Sequence, residues 1–169
     1  VVVAVCALLS LYTIGTTAVY DGKELGTVSG VTTVNAVVND LQDITRETLN
    51  DADYTVDTSK LDTSVGVVSR RTVESREEFT DSLSDQLGMV EYAYVLYIDG
   101  EPVAATTFPG ALEEMLDQLK KGYITASTVD SYFVEDVEIK QEYVDASLVM
   151  NLGNIAEILN ATKAGEVTY

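Results

Sequence analysis

Apolar and polar side chains alternate through Val90–Ile98. Val90, Tyr92, Tyr94, Leu96 and Ile98 fall on one side, Glu91, Ala93, Val95 and Tyr97 on the other. That period of two predicts a strand with Tyr92 and Tyr94 turned inward. The uncharged stretch 13–20 predicts another. An Asp-Gly pair follows each, Asp21-Gly22 and Asp99-Gly100, and residues 25–28 form the apolar run after the first. Asp-Gly between β-rich runs is a hairpin signal, because both central residues of the favoured turn need positive φ. The period then lengthens. Val34, Val37, Val38, Leu41 and Ile44 recur at helical spacing, and so do Leu112, Met115, Leu116 and Leu119. The second of these predicted helices has Pro109 in its first position, Glu113 and Glu114 early, Lys120 and Lys121 late, and Gly122 as its stop. Those charges complement the helix dipole.

Each half continues in the same way. Residues 54–56 and then 65–73 predict a long strand in the first half, and 132–143 predict one in the second. Ser75 and Glu78 form a capping-box pattern ahead of Phe79, Leu83 and Leu87, with Gly88 as the stop. Asn151 caps the stripe of Leu152, Ile155, Ile158 and Leu159, with Gly165 near its end. Asp21, Gly22, Leu41, Tyr54 and Val56 match Asp99, Gly100, Leu119, Tyr132 and Val134 at an offset of 78. The expectation is an α+β fold of two tandem repeats, each strand–turn–strand–helix–strand–helix with mainly antiparallel sheet. Residues 13–88 form the first repeat and 89–169 the second. Residues 1–12 read either as the end of a signal peptide or membrane anchor, or as a buried first strand. The apolar run there, with Cys6 inside it, is shorter than the roughly 20 residues a bilayer crossing needs.

Composition removes several chemistries. The 169 residues include 10 Lys+Arg, 28 Asp+Glu, a single Cys and no His, for a net charge of −18. Without His, neither a zinc site of the usual nitrogen/sulfur kind nor a Ser-His-Asp or Cys-His relay can form. So acidic a chain is not expected to bind nucleic-acid phosphates. The acidity is even: 6 − 14 = −8 over residues 1–88 and 4 − 14 = −10 over 89–169. It reads first as a solvated, self-repelling surface. Asp51, Asp53 and Asp57 loosely follow a calcium loop but lack its turn glycine and closing Glu. Asp136 and Glu138 share a strand face about 7 Å apart, a spacing compatible with paired glycosidase carboxylates. Alternating acidic residues on a half-exposed strand give the same pattern without any chemistry. Arg70-Arg71 stands among Glu74, Glu77 and Glu78, where local ion pairing is expected. Asn160-Ala161-Thr162 fits a glycosylation sequon, relevant only in a eukaryotic secretory setting. No catalytic, cofactor-binding or metal-binding residue is assigned from these patterns.

One resemblance adds a setting. Tyr94-Val95-Leu96-Tyr97-Ile98-Asp99-Gly100, Phe133-Val134-Glu135-Asp136-Val137-Glu138-Ile139 and Thr162-Lys163-Ala164-Gly165-Glu166-Val167-Thr168-Tyr169 resemble the non-catalytic N-terminal region of Gram-positive lysostaphin-like peptidoglycan metalloendopeptidases. Asp21-Gly22-Lys23-Glu24-Leu25-Gly26-Thr27-Val28-Ser29 is similar to the opening of the same region. In that family a membrane anchor or signal precedes the region, and a lysin-motif or related wall-binding module and the zinc peptidase follow. The resemblance implies an extracytoplasmic, secreted or membrane-anchored location in a bacterial cell envelope. It also implies a cell-wall component, or the following hydrolase and wall-binding domains, as partners. The zinc ligands of that peptidase are His and Asp, so no catalytic residue carries over to a chain without His. The leading expectation is a non-catalytic module that spaces, positions or regulates a peptidoglycan hydrolase on the same polypeptide. The alternatives are an inhibitory or prodomain-like acidic domain and a carboxylate glycosidase.

Overall fold

The computed structural model describes residues 11–122, 124 and 132–161. Cys6, Gly165 and the motif from Thr162 onward lie outside them. Among the described residues the protein is α+β, with four α-helices and two three-stranded antiparallel sheets. It divides into two compact units between Val90 and Glu91.

The first unit runs β1 (Tyr12–Tyr20), β2 (Lys23–Val28), α1 (Val31–Leu49), β3 (Leu61–Ser69) and α2 (Arg76–Leu87), with sheet order β2-β1-β3. Asp21 and Gly22 both take positive φ, 49° and 79°, as the hairpin turn requires. The turn is tied to the third strand as well. Asp21 N–H donates to the Lys60 carbonyl at 2.9 Å, and Lys60 Nζ pairs with the Asp21 carboxylate at 3.2 Å. Beyond β3, a 3₁₀ turn at Arg70–Thr72 carries the chain to the far side of the sheet. There Val73 bridges Thr27 in parallel and Glu74 N–H donates to the Thr27 carbonyl. The capping box forms as the sequence predicts, and Gly88 ends α2 in the left-handed region. Val34, Val37, Val38 and Leu41 from α1 and Phe79 and Leu83 from α2 are buried.

The second unit runs β4 (Val90–Ile98), β5 (Glu101–Thr106), α3 (Ala111–Lys121), β6 (Val137–Asp145) and α4 (Leu152–Ala161), with order β5-β4-β6. Asp99 and Gly100 repeat the turn geometry, and Asp99 N–H donates to the Asp136 carbonyl. Asn151 caps α4 through its Oδ1, which accepts from Asn154 N–H at 2.9 Å. One face of this sheet packs on the helices around Leu96, Leu112, Leu116, Ile155 and Leu159. The opposite face holds a second cluster of Ala93, Val95, Ala105 and Val144.

Both units thus share one element order and one strand order. The hairpin strands begin 78 residues apart, at Tyr12 and Val90, and each hairpin shifts register at the same point, after Ala18 and after Leu96. From the third strand on the separation is 76, from Leu61 to Val137 and from Arg70 to Ala146. The fixed 78-residue offset therefore fails beyond the first helix. Lys60, not Thr58, takes the place of Asp136 as acceptor for the turn N–H.

Three local expectations are corrected. Residues 54–56 are not a strand. Their backbone is held by α1 side chains instead: Arg46 Nε donates to the Tyr54 carbonyl, and Val56 N–H donates to Gln42 Oε1. The third strands are Leu61–Ser69 and Val137–Asp145, not 65–73 and 132–143. Pro109 is not the first residue of a helix. It sits at the second position of a Phe108-Pro109-Gly110-Ala111 turn, with Gly110 at φ 75° and ψ −4° in the third. Proline then glycine at those positions is the chemistry of a type II turn, so α3 starts only at Ala111.

Candidate functional site

On the outer face of the second sheet, alternate positions of β6 present Glu138, Lys140 and Glu142 beside Tyr97 of β4. The Tyr97 hydroxyl donates to the Glu142 carboxylate. That hydrogen bond, then burial, pushes the Tyr97 phenol up to about 12. Lys140 Nζ lies 4.8 Å above the Tyr97 ring and 2.8 Å from Glu138. Its pairing with Glu138 holds its ammonium above the ordinary lysine value. Asp136 precedes the strand, exposed, with its N–H donating to Asp99 Oδ1 at 3.0 Å. The two residues singled out for acid/base work are thus placed differently: the Asp136 backbone serves the turn, and the Glu138 carboxylate pairs with a lysine. Neither residue lines either of the two depressions described below.

The first unit holds a buried polar atom with no such partner. Glu74 Oε2 is covered and receives no hydrogen bond. Its carboxylate lies where a Cβ on Gly26 would stand, 2.0 Å from that position. Burial, reinforced by Glu78 and Glu24, holds the Glu74 carboxyl above its usual value. The corresponding place in the second unit, the residue that donates its N–H to β5, is Met150, packed on the apolar core. A carboxylate in a place suited to methionine weakens the fold when charged. A raised carboxyl pKa means that the folded state binds the proton more tightly than the unfolded chain. The penalty is therefore full above the folded pKa and vanishes below the unfolded one. Glu74→Gln, which removes the charge and keeps the shape, is expected to stabilise the protein at pH 7 by up to about 1 kcal/mol. The advantage should close as the pH falls through the carboxyl range. Urea unfolding at pH 7 and pH 4 measures it, and parallel curves at both would contradict it.

Two shallow depressions, both in the first unit, contain no carboxylate. One of 400 Å³ is lined by Asn35, Val38, Asn39, Thr58, Leu61 and Thr63. The other, of 320 Å³, is lined by Thr13, Ile14, Ser29, Arg70 and Val73. No family model, curated protein or solved structure matches this chain.

The remaining sequence candidates separate in space or serve local structure. Asp57 caps a 3₁₀ turn by accepting from Ser59, which holds its carboxyl below the ordinary value, and Asp51 accepts from Asp53 N–H. Among the described residues, no group of three or more acidic or cysteine side chains is arranged to hold a metal ion. Nor is any described helix long and apolar enough to cross a membrane. Of the acids near Arg70-Arg71, Glu78 closes the capping box and Glu74 covers Gly26. Tyr92 is not buried but 47% exposed, its ring centroid 5.0 Å from that of Tyr143. Tyr94 packs against the helix-side core. Sequence reasoning missed the Tyr97–Glu142 pair, whose members are 45 positions apart, and the Glu74–Gly26 contact. Neither has a signal in local spacing.

Proposed function

We propose that this chain is a non-catalytic envelope module built from two copies of one α+β unit, which spaces, positions or regulates a peptidoglycan hydrolase on the same polypeptide. The observation that carries the reading is where the resembling motifs fall. Asp21–Ser29 chemistry builds the β1–β2 turn and strand, and the motifs at Tyr94 and Val137 build the equivalent hairpin and third strand of the second unit. These motifs build scaffold, and several of their polar side chains are used within a unit: Asp21 and Asp99 at the turns, Thr27 and Ser29 in hydroxyl pairs, and Glu138 with Lys140. A scaffold used twice, with a strongly acidic surface, suits a spacer or docking element. A cell-wall component, or the hydrolase and wall-binding domains of the same polypeptide, are its partners, outside the membrane of a Gram-positive-type bacterium.

Hydrolysis of a wall cross-link needs a metal-bound water or a side-chain nucleophile with a base beside it. The purified chain, with or without zinc, should therefore release no muropeptides. Deleting residues 13–161 from the full polypeptide should leave turnover on soluble muropeptides unchanged while altering where or when the wall is cut. A deletion that raises that turnover would favour the inhibitory, prodomain-like reading instead. Release by the chain alone that disappears in Asp136→Asn or Glu138→Gln would overturn the module reading and establish a carboxylate glycosidase.

A further inference from the structure

We propose that the depression between α1 and β3 in the first unit is a binding site for a neutral N-acetylated sugar. The proposal rests on the envelope reading for the source of that sugar, and it names the wall chemistry the module contacts. Asn35 and Asn39 stand four residues apart on α1 and so share one face of that helix. Thr58 comes from a 3₁₀ turn, and Leu61 and Thr63 come from the start of β3. With Val38 they line 400 Å³, within the roughly 300–1,000 Å³ of small-molecule sites. None of the lining residues is charged, in a protein whose net charge is −18. The charged residues beside them have other partners: Asp40 pairs with Arg76, and Lys60 with Asp21. Among the described residues, the side chains of Asn35, Asn39, Thr58 and Thr63 make no hydrogen bond.

The second unit does not keep this arrangement. Its α3 follows α1 at an offset of 78, with buried Leu112 and Leu116 at the places of Val34 and Val38. Glu113 and Asp117 then stand where Asn35 and Asn39 do. On the third strand, at the offset of 76, Val137 and Ile139 replace Leu61 and Thr63, and both pack on the core around Leu112 and Leu116. The same place is filled and flanked by acids in one unit, and open and uncharged in the other. Folding therefore does not require the polar set, because valine and isoleucine close that place equally well. Asparagine amides and threonine hydroxyls each donate and accept hydrogen bonds. Sugar hydroxyls do the same. An acetamido group adds an amide to match the asparagines and a methyl to meet Val38 and Leu61. The protein's charge repels anionic ligands, which leaves a neutral ring as the occupant.

Titration of the whole chain with diacetylchitobiose, a neutral dimer of N-acetylglucosamine, followed by amide NMR, tests this directly. The side-chain amide signals of Asn35 and Asn39 should move with a Kd of about 1 mM, the scale of a few neutral hydrogen bonds at an open site. Cellobiose, which has the hydroxyls but no acetamido groups, should bind more weakly. Asn35→Ala/Asn39→Ala should weaken the sugar at least about tenfold, from two lost hydrogen bonds. Thr63→Ile, which copies Ile139, should close the site and abolish binding. All three positions are exposed, and circular dichroism checks that the variants stay folded. Unmoved signals at about 10 mM sugar, well above that Kd, would overturn the proposal. So would binding that survives both variants, or equal shifts with an acetylated and amidated tetra-alanine, which would mark a peptide site. The envelope reading fails separately. If the sugar binds but deleting residues 13–161 leaves wall cutting unaltered, the site stands and that reading falls. If the deletion alters cutting and the sugar does not bind, the reading stands and the site falls.

Discussion

Phe79→Ala should cost about 3–5 kcal/mol, the range for removing a buried phenylalanine ring without full collapse of its site. Phe79 is wholly buried. It stands in the first turn of α2, directly behind the capping box, and its N–H donates to the Ser75 carbonyl. The ring therefore fixes where the helix enters the core, and the cap fixes the rotation at which it does so. Because α2 packs on both β2 and α1, an empty site there loosens three elements together. For a unit of this size, a loss of 3 kcal/mol lowers the melting temperature by more than about 10 °C. Since a whole domain is stable by only about 5–15 kcal/mol, much of the first unit's margin is at stake. Thermal and urea unfolding followed by circular dichroism give the number. A cost below about 1 kcal/mol would show that α2 is not held by this ring.

Gly26→Ala should cost about 1–3 kcal/mol from the backbone alone. Gly26 has φ 142°, a conformation that side-chain-bearing residues rarely adopt, and it follows the register shift after Ala18. An added Cβ would also stand 2.0 Å from Glu74 Oε2. The two costs can be separated. The carboxylate is the far end of a flexible side chain and can swing away, whereas the φ angle is imposed by the strand pairing on both sides. Gly26→Ala/Glu74→Ala should therefore recover only a minor part of the loss. Ala104, at the equivalent place on β5, is fully buried and is not among the positive-φ residues, so a Cβ is accommodated there. Urea unfolding of the single and double variants makes the comparison. Full recovery in the double variant would mean that the collision, not the backbone, requires glycine.

The contrast between Gly26 and Ala104 shows what local pattern reading reaches. Helices with a clear apolar stripe were legible: Val34 to Leu41, Leu112 to Leu119, and Phe79 to Leu87, the last together with its Ser75–Glu78 cap. There the cap, the 3.6-residue period and the stop residue all depend on neighbours within a few positions. The Asp-Gly turns were legible for the same reason. The third strands were misplaced because β-branched runs such as Tyr54-Thr55-Val56 satisfy a strand pattern, yet Gln42 and Arg46 hold that backbone. Tyr92 was misjudged because alternation says which residues share a face. It does not say how far along the strand the helices reach.

From its sequence alone, this chain determined its class, its two hairpins and most of its helices, and it excluded histidine-dependent chemistry. Those properties depend on composition or on residues within about one turn of each other. Tertiary structure decided the rest. It set the shift from a 78- to a 76-residue separation after the first helix, the second apolar cluster around Val95, the pairing of Tyr97 with Glu142, and the cover that Glu74 gives Gly26. Among the described residues it also placed β3 at the end of its sheet. Each of these depends on which strand lies beside which, and strand neighbours chosen across tens of residues leave no fixed spacing in the sequence.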